Sequence, residues 1–204
     1  MYKQKNQYRK FYLFASLLSL ALVNSGCKKE INRDLPSYQI AESERLFIFS
    51  NVDLPANFPL GNTRVATFYA EGVQKYKAQL KSGSNPSAYE WVFVAPQANL
   101  YDATNKKAGT HSAGPSWQLT GIADSIFGQQ FSPPRTAVSS DPNGVDWLLL
   151  MPKNGKSPSG IFSSVSYIQR IATKGGKAPA IPPQNATDTV DVKYTAIYRF
   201  TKKN

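Results

Sequence analysis

The sequence predicts an all-β protein, one antiparallel β-sandwich or barrel with little helix, on three observations. Apolar side chains recur every second residue in several segments, clusters of Gly, Pro, Asn and Ser separate those segments, and no stretch carries the apolar period of an amphipathic helix. The clearest segment is the last one. Val190, Val192, Tyr194, Ala196, Tyr198 and Phe200 alternate with Asp191, Lys193, Thr195, Ile197, Arg199 and Thr201, which predicts a strand with one buried face and a largely polar outer face. About eight such segments with no helices to cover them leave a sheet packed on a sheet, or closed on itself, as the economical architecture.

At the N-terminus, Met1–Lys10 carries Lys3, Lys5, Arg9 and Lys10 with no acid, Phe11–Val23 is a run of apolar and small residues, and Asn24-Ser25-Gly26-Cys27 follows. These are the charged, apolar and small-residue regions of an export signal, and the apolar run is too short for an ordinary spanning helix. Cys27 is the only cysteine, which is unexpected in an exported protein unless the thiol is modified. Ser25-Gly26-Cys27 resembles the lipobox of bacterial lipoproteins, although Asn24 stands where an aliphatic residue is usual. The expectation is a signal over residues 1–26, acylation of Cys27, a polar tether with Pro36 over 27–43 and a single domain over 44–204. Two or more acyl chains give stable anchoring. With no Asp after the cysteine, the resemblance to lipoproteins implies the outer membrane, in either its periplasmic or its surface-exposed leaflet.

Within the domain, Arg45–Ser50 is the first strand candidate, and the prolines and Gly-Asn of Leu54–Asn62 mark a loop. Val65–Tyr69 and Val73–Leu80, separated by Gly72, predict a hairpin; in its second arm Gln74, Tyr76, Ala78 and Leu80 share one face. Ser82–Ser87 is a turn cluster. Tyr89–Ala95 is apolar on both faces and predicts an interior strand. Leu100–Ala103 leads to the polar turn Asn105–Gly109, and Phe131-Ser132-Pro133-Pro134 and Asp141–Gly144 punctuate a loop-rich section before the strand Val145–Met151. Over Ile161–Thr173, β-branched residues favour strand over helix, and the three prolines of Ala178–Pro183 require an irregular connection.

Composition narrows the function classes. The formal net charge of +11 falls once the signal is discounted: removing Lys3, Lys5, Arg9 and Lys10 from the 24 basic residues leaves 20 against 13 acidic ones, a net of +7. The remaining cations lie mostly in turns and at the C-terminus without interleaved aromatics, so no nucleic-acid partner is expected. One histidine and one cysteine are a poor inventory for zinc, no spaced Asp-x-Asp pattern offers a calcium loop, and neither metal nor cofactor is expected.

Rare residue types crowd together only at Gly109–Trp117, which holds the sole histidine, His111, beside Trp117 in a stretch shaped by Gly109, Gly114 and Pro115. An imidazole near neutrality suits general base chemistry, but adjacency to Ser112 supplies neither a placed nucleophile nor an orienting acid. The expected reading is a shaped loop, with Trp117 partly exposed after the Gly-Pro turn, and no catalytic residue is assigned. His111, Trp117, Gln74 and Tyr76 are the candidate ligand contacts. The expected partners are the membrane, through Cys27, and a glycan, a small molecule or an envelope protein. Two alternatives are a hydrolase using His111 and a structural component of the envelope.

A series of motifs runs in order from about Gly61 to Phe200: Gly72-Val73-Gln74 with Tyr76; Trp91-Val92-Phe93 with Ala95-Pro96; Ala98, Leu100 and Asp102; Gly109-Thr110-His111 with Ala113-Gly114-Pro115 and Trp117; Trp147–Leu150; Ile168-Gln169-Arg170 with Thr173, Gly175-Gly176 and Ala178-Pro179; and Tyr194-Thr195-Ala196 with Tyr198 and Phe200. This order resembles a family of secreted bacterial and fungal proteins catalogued as domain of unknown function 3455. The resemblance implies export and one compact domain, and it carries no activity. Two family cysteines are replaced here, one near Ala78 and one near Pro182-Pro183, which implies that a bridge found in relatives is absent; the family's Asp-Gly-Ser turn is altered at Asp124-Ser125.

Overall fold

The computed structural model describes residues 62–83 and 88–204. Eight strands follow in order: β1 (Asn62–Leu80), β2 (Tyr89–Tyr101), β3 (Lys107–Ser112), β4 (Ser116–Leu119), β5 (Ser125–Ala137), β6 (Trp147–Pro152), β7 (Tyr167–Gly175) and β8 (Thr189–Lys203). Each pairs antiparallel with the next, and β8 returns to β1, so the sheet closes into a barrel. Closure removes the exposed edges that an eight-stranded open sheet would present.

Alternation decides what enters the barrel. Phe68, Leu100, Trp117, Leu119, Ile126, Ile168 and Phe200 point inward from six strands and are buried in one cluster. Ala66, Ala70, Ala98 and Ala196 are buried in the same cluster and leave room between them. One end is stoppered by a short 3-10 turn, Gly160–Ser164, whose buried Phe162 meets Phe200 with ring centroids 4.8 Å apart and Phe68 edge-on at 6.4 Å. Asp124 anchors that turn, its carboxylate accepting the Ile161 N–H at 3.0 Å. A second cluster of Trp147, Leu149 and Ile171, with Phe131, Tyr167 and Ile197 against it, takes the opposite parity on β6, β7 and β8 and therefore lies outside the barrel.

The all-β architecture is as expected, and several local expectations change. The predicted 65–80 hairpin is one continuous strand. Gly72 does not turn the chain; it lets β2 approach, because a Cβ there would run into the Gln97 carbonyl and Ala98. The chain turns at 81–88 instead, where the Lys81 N–H donates to the Ala88 carbonyl at 2.9 Å. β2 is not an interior strand throughout: β3 pairs with it only from Ala98 onward, so its first half projects past the barrel and leaves Phe93 48% and Val94 51% exposed. β5 runs through Pro133 and Pro134, which no strand prediction allowed. Its register with β6 jumps between Gln130 and Arg135, so the prolines occupy an interruption where no ladder N–H is needed.

Gly109–Trp117 is a hairpin, β3 turning into β4, rather than an irregular loop. The first residues of the predicted 161–173 strand form the 3-10 turn. The outer face of β8 is polar in sequence but buried at Arg199 and Thr201; Arg199 Nη1 donates to Gln169 Oε1 at 3.4 Å. The Arg45–Ser50 strand, the tether and Cys27 lie outside the described residues.

Candidate ligand-binding site

At the end opposite Phe162 the described residues leave the barrel open, and a cavity of about 320 Å³ occupies its mouth. All eight strands reach it, as expected where neighbouring strands converge on one axis. Such a volume lies at the low end of small-molecule pockets, roughly 300–1,000 Å³, and barrel mouths are a recurrent location for them. Phe93, Val94, Pro96, Pro115, Leu148 and Leu150 give it largely apolar walls.

His111 and Trp117 face each other across the β3–β4 hairpin as register partners and point into the barrel. Their rings stack with centroids 4.6 Å apart and planes 14° from parallel, and Tyr198 of β8 leans on the imidazole at 4.7 Å. Gly128 makes room for this stack, since a Cβ there would come within 3.0 Å of the Trp117 ring. Trp117 is fully buried, contrary to the expected partial exposure, because the Gly-Pro turn directs it inward. The turn itself is fixed by Gly114 at φ 112°, by the hydroxyls of Ser112 and Ser116 at 2.9 Å, and by donation from Ser116 Oγ to the Ala113 carbonyl at 3.0 Å.

The imidazole is 3% exposed, and its Nδ1 lies 2.8 Å from the Ser116 carbonyl, an acceptor that assigns the proton to Nδ1. Burial lowers its pKa to about 4; the Ser116 bond opposes that shift and the Arg170 charge adds to it. At neutral pH the ring is therefore uncharged. Nε2 is left as an acceptor, and His111 makes no other hydrogen bond among the described residues.

Arg170 enters from β7. Its Nε and Nη2 donate to one main-chain carbonyl, that of Asp146, at 3.1 and 2.7 Å. Gln74 of β1 is buried, and among the described residues its Nε2, Trp117 Nε1 and the hydroxyls of Tyr194 and Tyr198 make no hydrogen bond of good geometry, although Gln74, Tyr194, Tyr198 and Arg170 follow one another as close polar neighbours. Burial pushes both phenols well above their ordinary pKa, with the Arg170 charge partly opposing it, so both remain protonated donors. Buried polar atoms without partners are rare in folded proteins and costly, and here three of them, on Gln74, Trp117 and Tyr198, belong to residues lining one cavity.

Three of the four sequence candidates, Gln74, His111 and Trp117, line this cavity. The fourth, Tyr76, does not: its hydroxyl donates to the Gly176 carbonyl at 2.6 Å, and its ring packs edge-on against Phe93 at 5.8 Å, so it braces the rim. Arg170, Tyr198, Leu148 and Phe93 were not singled out from sequence. Arg170 was readable in principle, because Ile168 is a core residue and the period of two puts residue 170 on the same face. Trp91, the register partner of Ala78, donates its indole N–H to the Ile181 carbonyl at 2.9 Å, a hydrogen bond that ties down the segment preceding Pro182.

Among the described residues no group of three or more His, Cys, Asp or Glu is placed to hold a metal ion. No curated protein and no solved structure is similar enough to match. One family does match, over residues 59–202, a span that takes in all eight strands but the last residue of β8 and includes every residue of the cavity. The chain thus belongs to the family described as Protein of unknown function (DUF3455).

Proposed function

We propose that this domain is a non-enzymatic small-molecule-binding barrel of the cell envelope, tethered to the membrane through acylated Cys27. The observation that carries the binding reading is the mouth cavity with its unbonded buried donors, Gln74 Nε2, Trp117 Nε1 and Tyr198 Oη. A fold that only needed stability would have filled the space with apolar side chains, as the opposite end does, because each unsatisfied group costs about 1–3 kcal/mol. Apolar walls supply affinity and a few oriented polar groups supply selectivity.

The hydrolase reading lacks its parts. His111 Nδ1 is held by a main-chain carbonyl rather than a carboxylate, and among the described residues no hydroxyl hydrogen-bonds its Nε2. With a pKa of about 4 the imidazole is also a poor proton acceptor near neutrality. Envelope tethering rests on the sequence of residues 1–29, and lipidation accounts for the lone cysteine.

The test is titration calorimetry of the mature chain against envelope glycans and small metabolites, repeated with Val94→Trp, which narrows the mouth from an exposed rim position. Binding in the parent and loss in the variant is the expected result; a parent chain that binds nothing removes the proposal. For anchoring, Cys27→Ser should move the protein from the membrane to the soluble fraction, and unchanged fractionation would refute acylation.

A further inference from the structure

The polar groups of the mouth are not a random sample. Among the described residues Arg170 is the only charged side chain in the cavity wall, His111 being neutral, and no carboxylate lines it. The guanidinium is half-buried, it donates through Nε and Nη2 to a neutral main-chain carbonyl, and it makes no ion pair among the described residues. A half-buried cation beside a largely apolar cavity, with no counter-charge in contact among the described residues, can still take up an anion at its solvent-facing side. Tyr198 is its direct register partner on β8, and among the described residues neither its hydroxyl nor Gln74 Nε2 makes a hydrogen bond of good geometry, their nearest polar neighbours being the Tyr194 hydroxyl and, for Tyr198, Arg170 itself. What such an arrangement lacks is an anion that accepts several hydrogen bonds at once. A planar guanidinium fork favours the planar oxygens of a carboxylate. One cation matches one negative charge, so a doubly charged phosphate would remain half-compensated.

The remaining wall, Phe93 and Val94 on one side and Leu148 and Leu150 on the other, would touch the rest of the ligand and is apolar. From these observations we infer that the mouth takes a small organic monocarboxylate with an apolar body, its carboxylate on Arg170, Tyr198 and Gln74 and its body against Phe93, Val94 and Leu148. This assignment rests on the binding-barrel reading above and adds the chemical class of the ligand. The neutral His111, with its free Nε2 acceptor, cannot serve the carboxylate and faces the part of the ligand next to it.

The experiment uses the mature chain with phenylacetate and its neutral isostere phenylacetamide, followed by calorimetry and by tryptophan fluorescence, since Trp117 lines the cavity. Phenylacetate should bind at least about tenfold more tightly than the amide. Arg170→Gln should abolish that preference by weakening phenylacetate at least about tenfold more than the amide, and Val94→Trp should weaken both probes. Because Arg170 also ties β7 to Asp146, its variant is checked by thermal melting; if it does not fold, the carboxylate-to-amide ratio of the parent and its decline with added salt decide the matter alone. Equal or tighter binding of the amide, lost in Val94→Trp, would overturn the carboxylate assignment while leaving the cavity as a binding site. Binding of neither probe at millimolar concentration would overturn both.

Discussion

At the end of the barrel stoppered by Phe162, three phenylalanine rings from β1, β8 and the 3-10 turn interlock with Ile126 and Ile168, and every one of these side chains is buried and apolar. At the other end the same strands β1 and β8 present Gln74 and Tyr198, and β7 presents Arg170 one inward position beyond Ile168. Strand, register and parity are continuous between the two ends; only the side chains change. The closed end gains free energy from burial, at roughly 25 cal/mol for each Å² of apolar surface. The open end gives some of that back by holding polar groups out of water without partners. Among the described residues the mouth carries no second apolar plug, and this contrast between the ends is what the binding proposal rests on.

The comparison is broken most directly at the closed end. Phe162→Ala empties the stopper and should cost about 3–5 kcal/mol in urea unfolding, the range for large aromatic truncations in a core that cannot collapse. The proposed ligand site, at the far end of the barrel, should keep its affinity under conditions where the variant is still folded. A loss below about 1 kcal/mol would show that the 3-10 turn is not part of the core.

The next effect in size belongs to the mouth and depends on pH. His111 has an ordinary pKa of 6.5 and about 4 in the fold, so between those values the unfolded chain binds a proton that the folded chain refuses. Its contribution to stability is therefore complete above pH 6.5 and is lost as pH falls towards 4, amounting to about 3 kcal/mol across the window. Asp141 and Asp188, whose carboxylates are held below their ordinary 3.8 by backbone N–H donors, lose their contributions only below that value, outside the His111 window. His111→Gln should flatten the urea midpoint between pH 6.5 and 4, and a parent chain equally stable at both ends of that window would mean the imidazole titrates freely.

Alternation made the inner face legible, and closure did not. The even-numbered side chains of 190–200 and the grouping of Gln74 and Tyr76 on one face follow from a period of two, and both are as the barrel has them, with Tyr194, Ala196, Tyr198 and Phe200 in the core. Gly72 misled, because a glycine inside an alternating run reads as a break, and only the neighbouring strand shows that it marks a close approach. The hairpin of β3 and β4 was hidden by its length: Ser116–Leu119 is too short to display a period. Pro133 and Pro134 disguised β5, since the register jump that tolerates them is a property of the pairing with β6 and not of the local sequence. At the site, rarity pointed to His111 and Trp117. Arg170 and Tyr198 are of common residue types, and they matter only because barrel closure brings β7 and β8 round to face β3 and β4.

Gln74 and Tyr76 provide the smallest and most discriminating test, since they are inward neighbours on one strand with opposite standing. Tyr76 has its partner, the Gly176 carbonyl, so Tyr76→Phe removes a made hydrogen bond and should destabilise the fold by about 1 kcal/mol without changing affinity at the mouth. Gln74 has an unbonded Nε2, so Gln74→Leu removes a group already unsatisfied and should leave stability unchanged or raise it by up to about 1 kcal/mol, while weakening any ligand that accepts from the amide. Thermal melts and calorimetry on the two variants separate the roles. If Gln74→Leu destabilises as much as Tyr76→Phe, then the amide is a structural group, and the contrast between a filled end and a held-open end does not extend to β1.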